Sequence, residues 1–440
     1  MARRLYTLLL WLLLPWLLCR LWWRGRQEAG YAVAPWQRLG FYTDAESRPL
    51  IWLHAVSLGE MRAAEPLLQQ LLTTYPGYRL LLSCMTATGR EAALQRFAGQ
   101  AAVRVVWLPY DYPFAVKRFL HTFQPAIGLI METEIWPNLM QACSARRLPV
   151  LLVNARLSER SARRYRWLRQ LLRPAMQAFS AVSAQSAADA ERLQELGALE
   201  VEVGGNLKFE MPENPLAATI AVRLRQHIGA RSVLLAASTR EGEEALILDA
   251  MLQVMAKSVA DRSPDTALPC ALPLLVIVPR HPTRFDSVEA LLRARGLRWQ
   301  RRSADHALPE DCPVLLGDSM GEMAAYFRAC DVAFIGGSLL PFGGQNLIEA
   351  CAAAVPVLLG PHTYNFSQVS AQALQDGAAR RVEDASDLWK QALQLSQDPV
   401  QRRQMGRAGI RFCAAHQGAS GRLMALIARY LPLSCSPAGR

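Results

Sequence analysis

The stretch LHAVSLGEMRAAEP sets Glu60 directly after Gly59, where an apolar run gives way to a helix-forming one. A carboxylate at a helix start is favoured by the partial positive charge there. In a cleft, the same carboxylate can take a proton from a substrate hydroxyl. Gly59 is expected to let the backbone turn sharply off the preceding strand. Two further carboxylates, Glu132 and Glu134, stand two residues apart at the end of another apolar run. If the strand persists through them they point the same way, and because like charges resist joint ionisation, one is expected to pair with a cation. Lys208, in GNLKF, is a candidate partner; the alternative is an ordinary linker lysine.

A second group of candidates lies in GGSLLPFGGQNLIEACAAAVPVLLGPHTYNF (336–366), where Asn346 is expected to begin a helix with Glu349 in its first turn. Backbone N–H groups at such a start can hold a phosphate, and Glu349 can accept from ribose hydroxyls. The GxGxxG fingerprint is missing from the first βα turn, which disfavours a nicotinamide cofactor. No Walker A lysine motif, no Asp-x-Asp pair and no histidines at ligand spacing occur, so neither a metal nor a cofactor is expected. His281, beside Arg280, reads as structural or as a substrate contact.

The elements that must position these residues follow from the apolar runs. Candidate strands at 50–56, 78–85, 103–109, 126–131 and 148–155 alternate with helical patterns such as 61–72 and 89–97. Their hydrophobicity is continuous, as in parallel strands covered on both faces. The passage VEVGGNLKFEMPENPLAA interrupts this with glycines and prolines, and the alternation restarts at 232–238, 273–279, 314–317, 331–337 and 355–360. The fold class expected is α/β, with two tandem Rossmann-like domains. The boundaries expected are an N-terminal anchor at 1–26, an N-terminal domain at 27–210, a linker at 211–225 and a C-terminal domain at 226–440. A Pro-rich excursion near 261–273 reads as an inserted loop, and a last helix near 418–431 as one that packs back across the boundary. Ligands bind outside the carboxyl ends of strands in such sheets, where all the polar stretches above fall, and all are expected to face one cleft.

The length of 440 residues exceeds what one core usually supports. Hydrophobic residues at 51% and charged residues at 20% argue against disorder. The nine cysteines include no C-x-x-C pair, which speaks against a disulfide framework or zinc site and for a reducing compartment. The formal charge of +12 is concentrated in residues 1–50 and 146–173, the latter carrying nine arginines against Glu159. The run LLLWLLLPWLLC (8–19) is uncharged and flanked by Arg3, Arg4, Arg20, Arg24 and Arg26. It reads as a membrane anchor, either a short span or an interfacial helix with a tryptophan belt. A basic WWRGR where a cleavage site should stand argues against a signal peptide. Positive charge beside it points to an anionic membrane surface or substrate. Nucleic acid is disfavoured, because the basic residues lack interleaved aromatics on a sheet face.

The ordered motifs LHAVSLGE (53–60), TATGRE (86–91), LPYDYP (108–113), METEIWPNL (131–139), NARLSERS (154–161), GNLKF (205–209), STREGEE (238–244), VPRHPTRF (278–285), GDSMGE (317–322), GGSLLPFGGQN and GPHTYNF span nearly the whole chain. In these the chain resembles the bacterial 3-deoxy-D-manno-octulosonic acid (Kdo) transferases, which transfer Kdo from CMP-Kdo to the lipid A precursor. The resemblance implies a GT-B type, inverting glycosyltransferase with an N-terminal membrane-anchor helix. It implies a bacterial inner-membrane location with the catalytic domains on the cytoplasmic side. By resemblance, Glu60 is the catalytic base and Glu132 and Lys208 stabilise the transition state. The nucleotide positions fall on Pro279 and Arg280, on Met320, Gly321 and Glu322, and on Asn346, Leu347, Ile348 and Glu349. The partners implied are CMP-Kdo, the tetraacyl disaccharide lipid A precursor (lipid IVA) and an anionic membrane surface, with no metal or cofactor. Many family members read GGHNPLE where this chain has Gln345 and Leu347, so a positive charge and a helix-starting proline are missing.

Two other readings compete. One is a related transferase that uses a UDP-sugar on another membrane lipid; the other is an inactive membrane adaptor that recognises anionic lipid through its basic stripe.

Overall fold

In the computed structural model, residues 1–43, 48–210, 215–260 and 272–431 are described. The first sheet contains β1 (Leu50–His54), β2 (Arg79–Cys84), β3 (Val103–Trp107), β4 (Ile127–Met131), β5 (Val150–Ala155), β6 (Ala181–Ala184) and β7 (Val201–Val203). All pair in parallel, in the order β3-β2-β1-β4-β5-β6-β7. Alternate residues of one strand serve opposite cores. Ile51 and Leu53 face one side with Leu80, Leu82 and Leu129, while Leu50 and Trp52 face the other with Leu81, Ile130 and Leu152. This two-sided burial is why the strands read as unbroken apolar runs. A Cβ at Gly128 of β4 would stand 2.9 Å from Trp52 Cε3, so the glycine makes room for the neighbouring indole.

The second sheet repeats the plan with β8 (Val233–Thr239), β9 (Leu274–Pro279), β10 (Trp299–Arg301), β11 (Val314–Leu316), β12 (Val332–Ile335), β13 (Val357–Leu359) and β14 (Ala379–Arg381). Its order is β10-β11-β9-β8-β12-β13-β14, again all parallel. Each sheet reverses its strand order once, between β1 and β4 in the first and between β8 and β12 in the second. These are the topological switch points at which α/β sheets bind ligands.

The apolar runs mark five strands in each seven-stranded sheet and leave β6, β7, β10 and β14 unmarked. The last three have only three residues each and lie at sheet edges, where burial leaves little apolar pattern. β6, AVSA, is built of small side chains.

Two compact units result, Met1–Pro212 with His416–Arg440, and Glu213–Ala415. The last helix, Ala419–Ala428, therefore belongs to the first unit. Its Leu423, Leu426 and Ile427 enter the core that holds β1, and Glu210 accepts the Ser420 N–H. Helix Ala217–Ile228 begins inside the segment expected as a linker at 211–225; residues 211–214 of that segment lie outside the described residues, as does most of the Pro-rich excursion near 261–273. The N-terminal helix, Ala2–Gln27, is long and apolar enough to cross a membrane by length and composition. The described cysteines are all unbridged.

Candidate active site

Glu60 sits in the first turn of helix Leu58–Thr74, which follows β1. Ser57 caps that helix, accepting the Glu60 N–H at 3.4 Å. The Glu60 carboxylate reaches back, its Oε1 accepting from the Ser57 hydroxyl at 2.9 Å and its Oε2 from the Val56 N–H at 2.8 Å. The sequence S-L-G-E thus forms a close relative of the capping box. Gly59 lies within the helix, and no left-handed backbone requires it. The turn expected of it is supplied by extended Ser57. A Cβ at position 59 would meet only Ser57 Oγ, at 3.9 Å, so the glycine leaves the surface beside Glu60 open.

Glu60 is well placed to cap a helix, yet its carboxyl is pushed up to about 7. Burial is the largest cause and the charge of Glu132 the next, with Glu134 adding less; the Val56 and Ser57 hydrogen bonds oppose them. A carboxyl that titrates near neutrality is matched to proton transfer at physiological pH.

Glu132 is the first residue after β4, the neighbour of β1 across the switch point. Its φ of 56° ends the strand, so the geometry that would have pointed Glu132 and Glu134 the same way does not persist. Non-glycine residues in this left-handed region cost roughly 1 kcal/mol and gather at functional sites. Glu132 Oε1 accepts from Lys208 Nζ at 3.1 Å. The two side chains are 21% and 17% exposed, which makes this a partly desolvated pair rather than a surface one. Glu134 is held above the usual carboxylate range by burial and by Glu132, against the pull of Trp136.

Lys208 stands on the short turn Leu207–Glu210. Asn154, wholly buried near the end of β5, ties that turn down: its Oδ1 accepts the Leu207 N–H at 3.1 Å. Asn154 adopts φ 51° to do so. In the sequence, Asn154 figures only as the first residue of the motif NARLSERS. Its signal was an amide inside the otherwise apolar run VLLVNA, a polar group that burial obliges to find a partner. His54, at the end of β1, is buried against Ser83 and its pKa is lowered to about 4 by burial, which keeps it neutral.

The second unit carries the other predicted residues at its own strand ends. Pro279 closes β9 in a buried position, and the exposed Arg280 donates its N–H to Thr239 O at 3.0 Å. Beyond β11, Met320 is exposed, Gly321 has φ 79°, and Glu322 accepts from Ser319 at 2.6 Å. The helix near Asn346 spans only Ile348–Ala352. Asn346 precedes it, accepting the Ile348 N–H and donating to Glu349 Oε1, both at 3.1 Å. Leu347 and Ile348 bury their side chains in the core, which leaves backbone groups as their means of meeting a ligand.

Glu243 binds the loops of this switch point together. Fully buried, it accepts N–H groups from Arg240 (2.8 Å), Gly337 (2.6 Å) and Leu339 (2.9 Å). Neighbouring Glu244 takes a two-pronged contact from Arg284, at 2.8 and 3.2 Å, and the Thr239 hydroxyl at 2.7 Å. Among the described residues no cluster of His, Cys, Asp and Glu could hold a metal ion.

The structure therefore gathers Glu60, Glu132 and Lys208 around the switch point of the first unit. The nine nucleotide candidates lie in the second.

Comparison with known proteins bears on what such a pair of sheets does. A family model described as 3-deoxy-D-manno-octulosonic-acid transferase (kdotransferase) matches residues 34–211. A protein of Bordetella pertussis named 3-deoxy-D-manno-octulosonic acid transferase is 43% identical over 96% of this chain and 98% of its own length. One of the same name from Haemophilus influenzae is 34% identical over 98% of this chain and 99% of its own. Among solved structures, a Listeria monocytogenes protein described as a putative UDP-N-acetylglucosamine 2-epimerase superposes with a TM-score of 0.59 at 14% identity, over 89% of this chain and 99% of that one. A Rickettsia africae glycosyltransferase gives 0.56 at 12% identity, over 89% of this chain and 100% of that one. These two likenesses establish the GT-B-like fold alone.

Proposed function

The chain belongs to the family of 3-deoxy-D-manno-octulosonic acid (Kdo) transferases and is a glycosyltransferase, and from that premise we propose that it moves Kdo from CMP-Kdo to the disaccharide lipid A precursor, lipid IVA. The reaction is an inverting direct displacement at the bacterial inner membrane, with the catalytic units on the cytoplasmic side. Glu60 takes the proton from the acceptor hydroxyl as that oxygen attacks the anomeric carbon of Kdo, and the bond to the CMP phosphate breaks.

The observation that carries this reading is the Glu60 carboxyl, pushed up to about 7 at the switch point. At that value it is partly ionised at neutral pH and basic enough to accept a proton. Ser57 and Val56 hold its two oxygens in place. Gly59 leaves its approach open to a sugar. Lys208, paired with Glu132, offers a fixed cation for charge that develops as the donor bond breaks. Glu132 in turn keeps Glu60 basic through its own negative charge.

The donor's nucleotide is assigned to the second unit, at Pro279, Arg280, Met320, Gly321, Glu322 and the Asn346–Glu349 segment. CMP leaves as an anion, which Arg280 and backbone N–H groups can accommodate. The acceptor carries phosphates, which suits the arginine-rich stretch 146–173 of the first unit.

Purified full-length protein, given radiolabelled lipid A precursor with either CMP-Kdo or UDP-sugars, tests the assignment. Transfer from CMP-Kdo alone is expected. Transfer from a UDP-sugar alone would replace this reading with the related-transferase one, and no transfer with intact lipid binding would favour the adaptor.

A further inference from the structure

The N-terminal helix has the composition of a membrane span, yet the structure seats it lengthwise on its own unit. Its half-buried positions are Ala2, Tyr6, Thr7, Leu10, Leu14, Leu17, Leu21 and Gly25, mostly spaced three and four apart as one face of a helix. At one end Thr7 donates to Asn138 Oδ1 at 3.1 Å and Arg3 to the same oxygen at 3.3 Å. In the middle Leu10 O accepts from the Tyr112 hydroxyl, and Trp11 lies against the rings of Tyr112 and Phe114, both with centroids 5.4 Å away. At the far end Leu21 packs on the cluster of Tyr31, Ala87 and Trp107, and a Cβ at Gly25 would be 3.3 Å from that of Ala32. The opposite face is apolar and bare: Leu5, Leu8, Leu9, Leu12, Leu13 and Trp16 are all exposed.

We propose that this helix lies in the plane of the membrane, strapped to the first unit along one face and dipping its bare face into a single anionic leaflet, and that it does not cross the bilayer. The inference rests on the membrane attachment in the reading above and goes beyond it, by fixing how the attachment is made.

Length and charge support the in-plane arrangement independently of the packing. The uncharged stretch runs from Leu5 to Cys19, about 22 Å of helix at 1.5 Å per residue. The hydrocarbon core is about 30 Å thick, so although the 26-residue helix as a whole is long enough to cross, a span would have to draw Arg20 toward the apolar region. Both ends are basic, with Arg3 and Arg4 before the stretch and Arg20, Arg24 and Arg26 after it. A spanning helix would carry two arginines to the far side, against the preference of basic residues for one side. A helix lying flat keeps both basic ends on one side of the bilayer, with Arg4, Arg20 and Arg26 free to meet the anionic surface while Arg3 binds Asn138 and Arg24 lies over Tyr31.

A second feature of the unit extends that surface. Helix Arg169–Gln177 lies beside the N-terminal helix. It meets helix Glu159–Trp167 at a corner where Trp167 is 92% and Leu168 50% exposed. Arg160, Arg163, Arg164, Arg166, Arg169 and Arg173 surround this apolar corner and are exposed. An indole and a leucine ringed by arginines fit a bilayer interface rich in anionic headgroups.

Full-length protein is prepared with Cys19, Cys270 and Cys435 replaced by Ser, and then with either Ala2→Cys or Gln27→Cys. It is bound to the outside of sealed vesicles containing phosphatidylglycerol and treated with a membrane-impermeant maleimide. Equal labelling at both positions, to within about twofold, is expected. Labelling at 27 with protection at 2 until the vesicles are opened would overturn the proposal. A Trp11→Cys, Phe114→Cys pair, joined by a short bifunctional maleimide, reports whether the strap holds. A cross-link in vesicles as efficient as in detergent is expected, and its loss on vesicle binding would show that the helix leaves the unit. Failure to partition onto any vesicle would sink the attachment itself.

Discussion

Lys208 Nζ lies 3.1 Å from Glu132 Oε1, although 75 residues separate them and they stand on different loops of one sheet. The pair spends part of the charge of Glu132 before it reaches Glu60. Replacing Lys208 by Ala leaves Glu132 uncompensated, so the Glu60 carboxyl should rise further and the cation should be missing from the transition state. Lys208→Ala is expected to lower kcat at least tenfold and to move the acid limb of the pH profile upward, whereas Lys208→Arg should retain more activity. An initial-rate profile across pH 5.5–9 checks both.

Glu132 and Ser57 act on Glu60 in opposite senses, the first raising its pKa through charge and the second lowering it through a hydrogen bond. The proton-accepting form is the ionised one, so kcat/KM should climb with pH and level off above about 7. Glu132→Gln is expected to shift that climb to lower pH, and Ser57→Ala to higher pH. Shifts in the same direction would contradict the assignment of the limb to Glu60.

The elevated carboxyl also has a stability consequence. Glu60 titrates near 4.5 in the unfolded chain and near 7 when folded. Between these values the folded chain holds a proton that the unfolded chain has lost, so stability falls as pH rises, and the deficit is complete above about 7. The cost is at most roughly 3 kcal/mol, reduced because the group is partly solvated. Glu60→Gln removes it at the loss of one hydrogen-bond acceptor, worth about 1 kcal/mol. Thermal unfolding at pH 8 should show Glu60→Gln more stable than the parent by roughly 1 kcal/mol, with no gain at pH 4.5.

Glu243 links the two loops at the second switch point through three backbone N–H groups. Glu243→Gln turns an amide toward at least one of them, which costs about 1–3 kcal/mol for the unsatisfied donor. A lower melting temperature and CMP binding weakened at least tenfold are expected by calorimetry. Unchanged CMP affinity with a lowered melting temperature would confine Glu243 to a structural role.

The architecture was legible where side chains are buried on both faces: β1, β4 and β5 announce themselves as continuous apolar runs. The edge strands β7, β10 and β14 were not, because three residues, most of them half-exposed or exposed, carry no period. In the site, Glu60, Glu132 and Lys208 could be singled out from position and type. The sequence could not tell a helix cap from a base at Glu60, and the structure makes one carboxylate both, through bonds to Ser57 and Val56 that hold a buried, repelled group. The turn off β4 at Glu132 was invisible, since nothing in METE marks a left-handed residue. The part played by Asn154 depends on a contact with Leu207, 53 positions away, which no local pattern encodes.

Proton removal from the acceptor by Glu60, as proposed, is checked most directly by single-turnover transfer with Glu60→Gln. With CMP-Kdo and lipid A precursor both saturating at pH 8, a rate about 10²–10⁴-fold below the parent is expected, with CMP affinity unchanged and folding intact. A rate within a few-fold of the parent would remove Glu60 from the chemistry and leave it a helix cap.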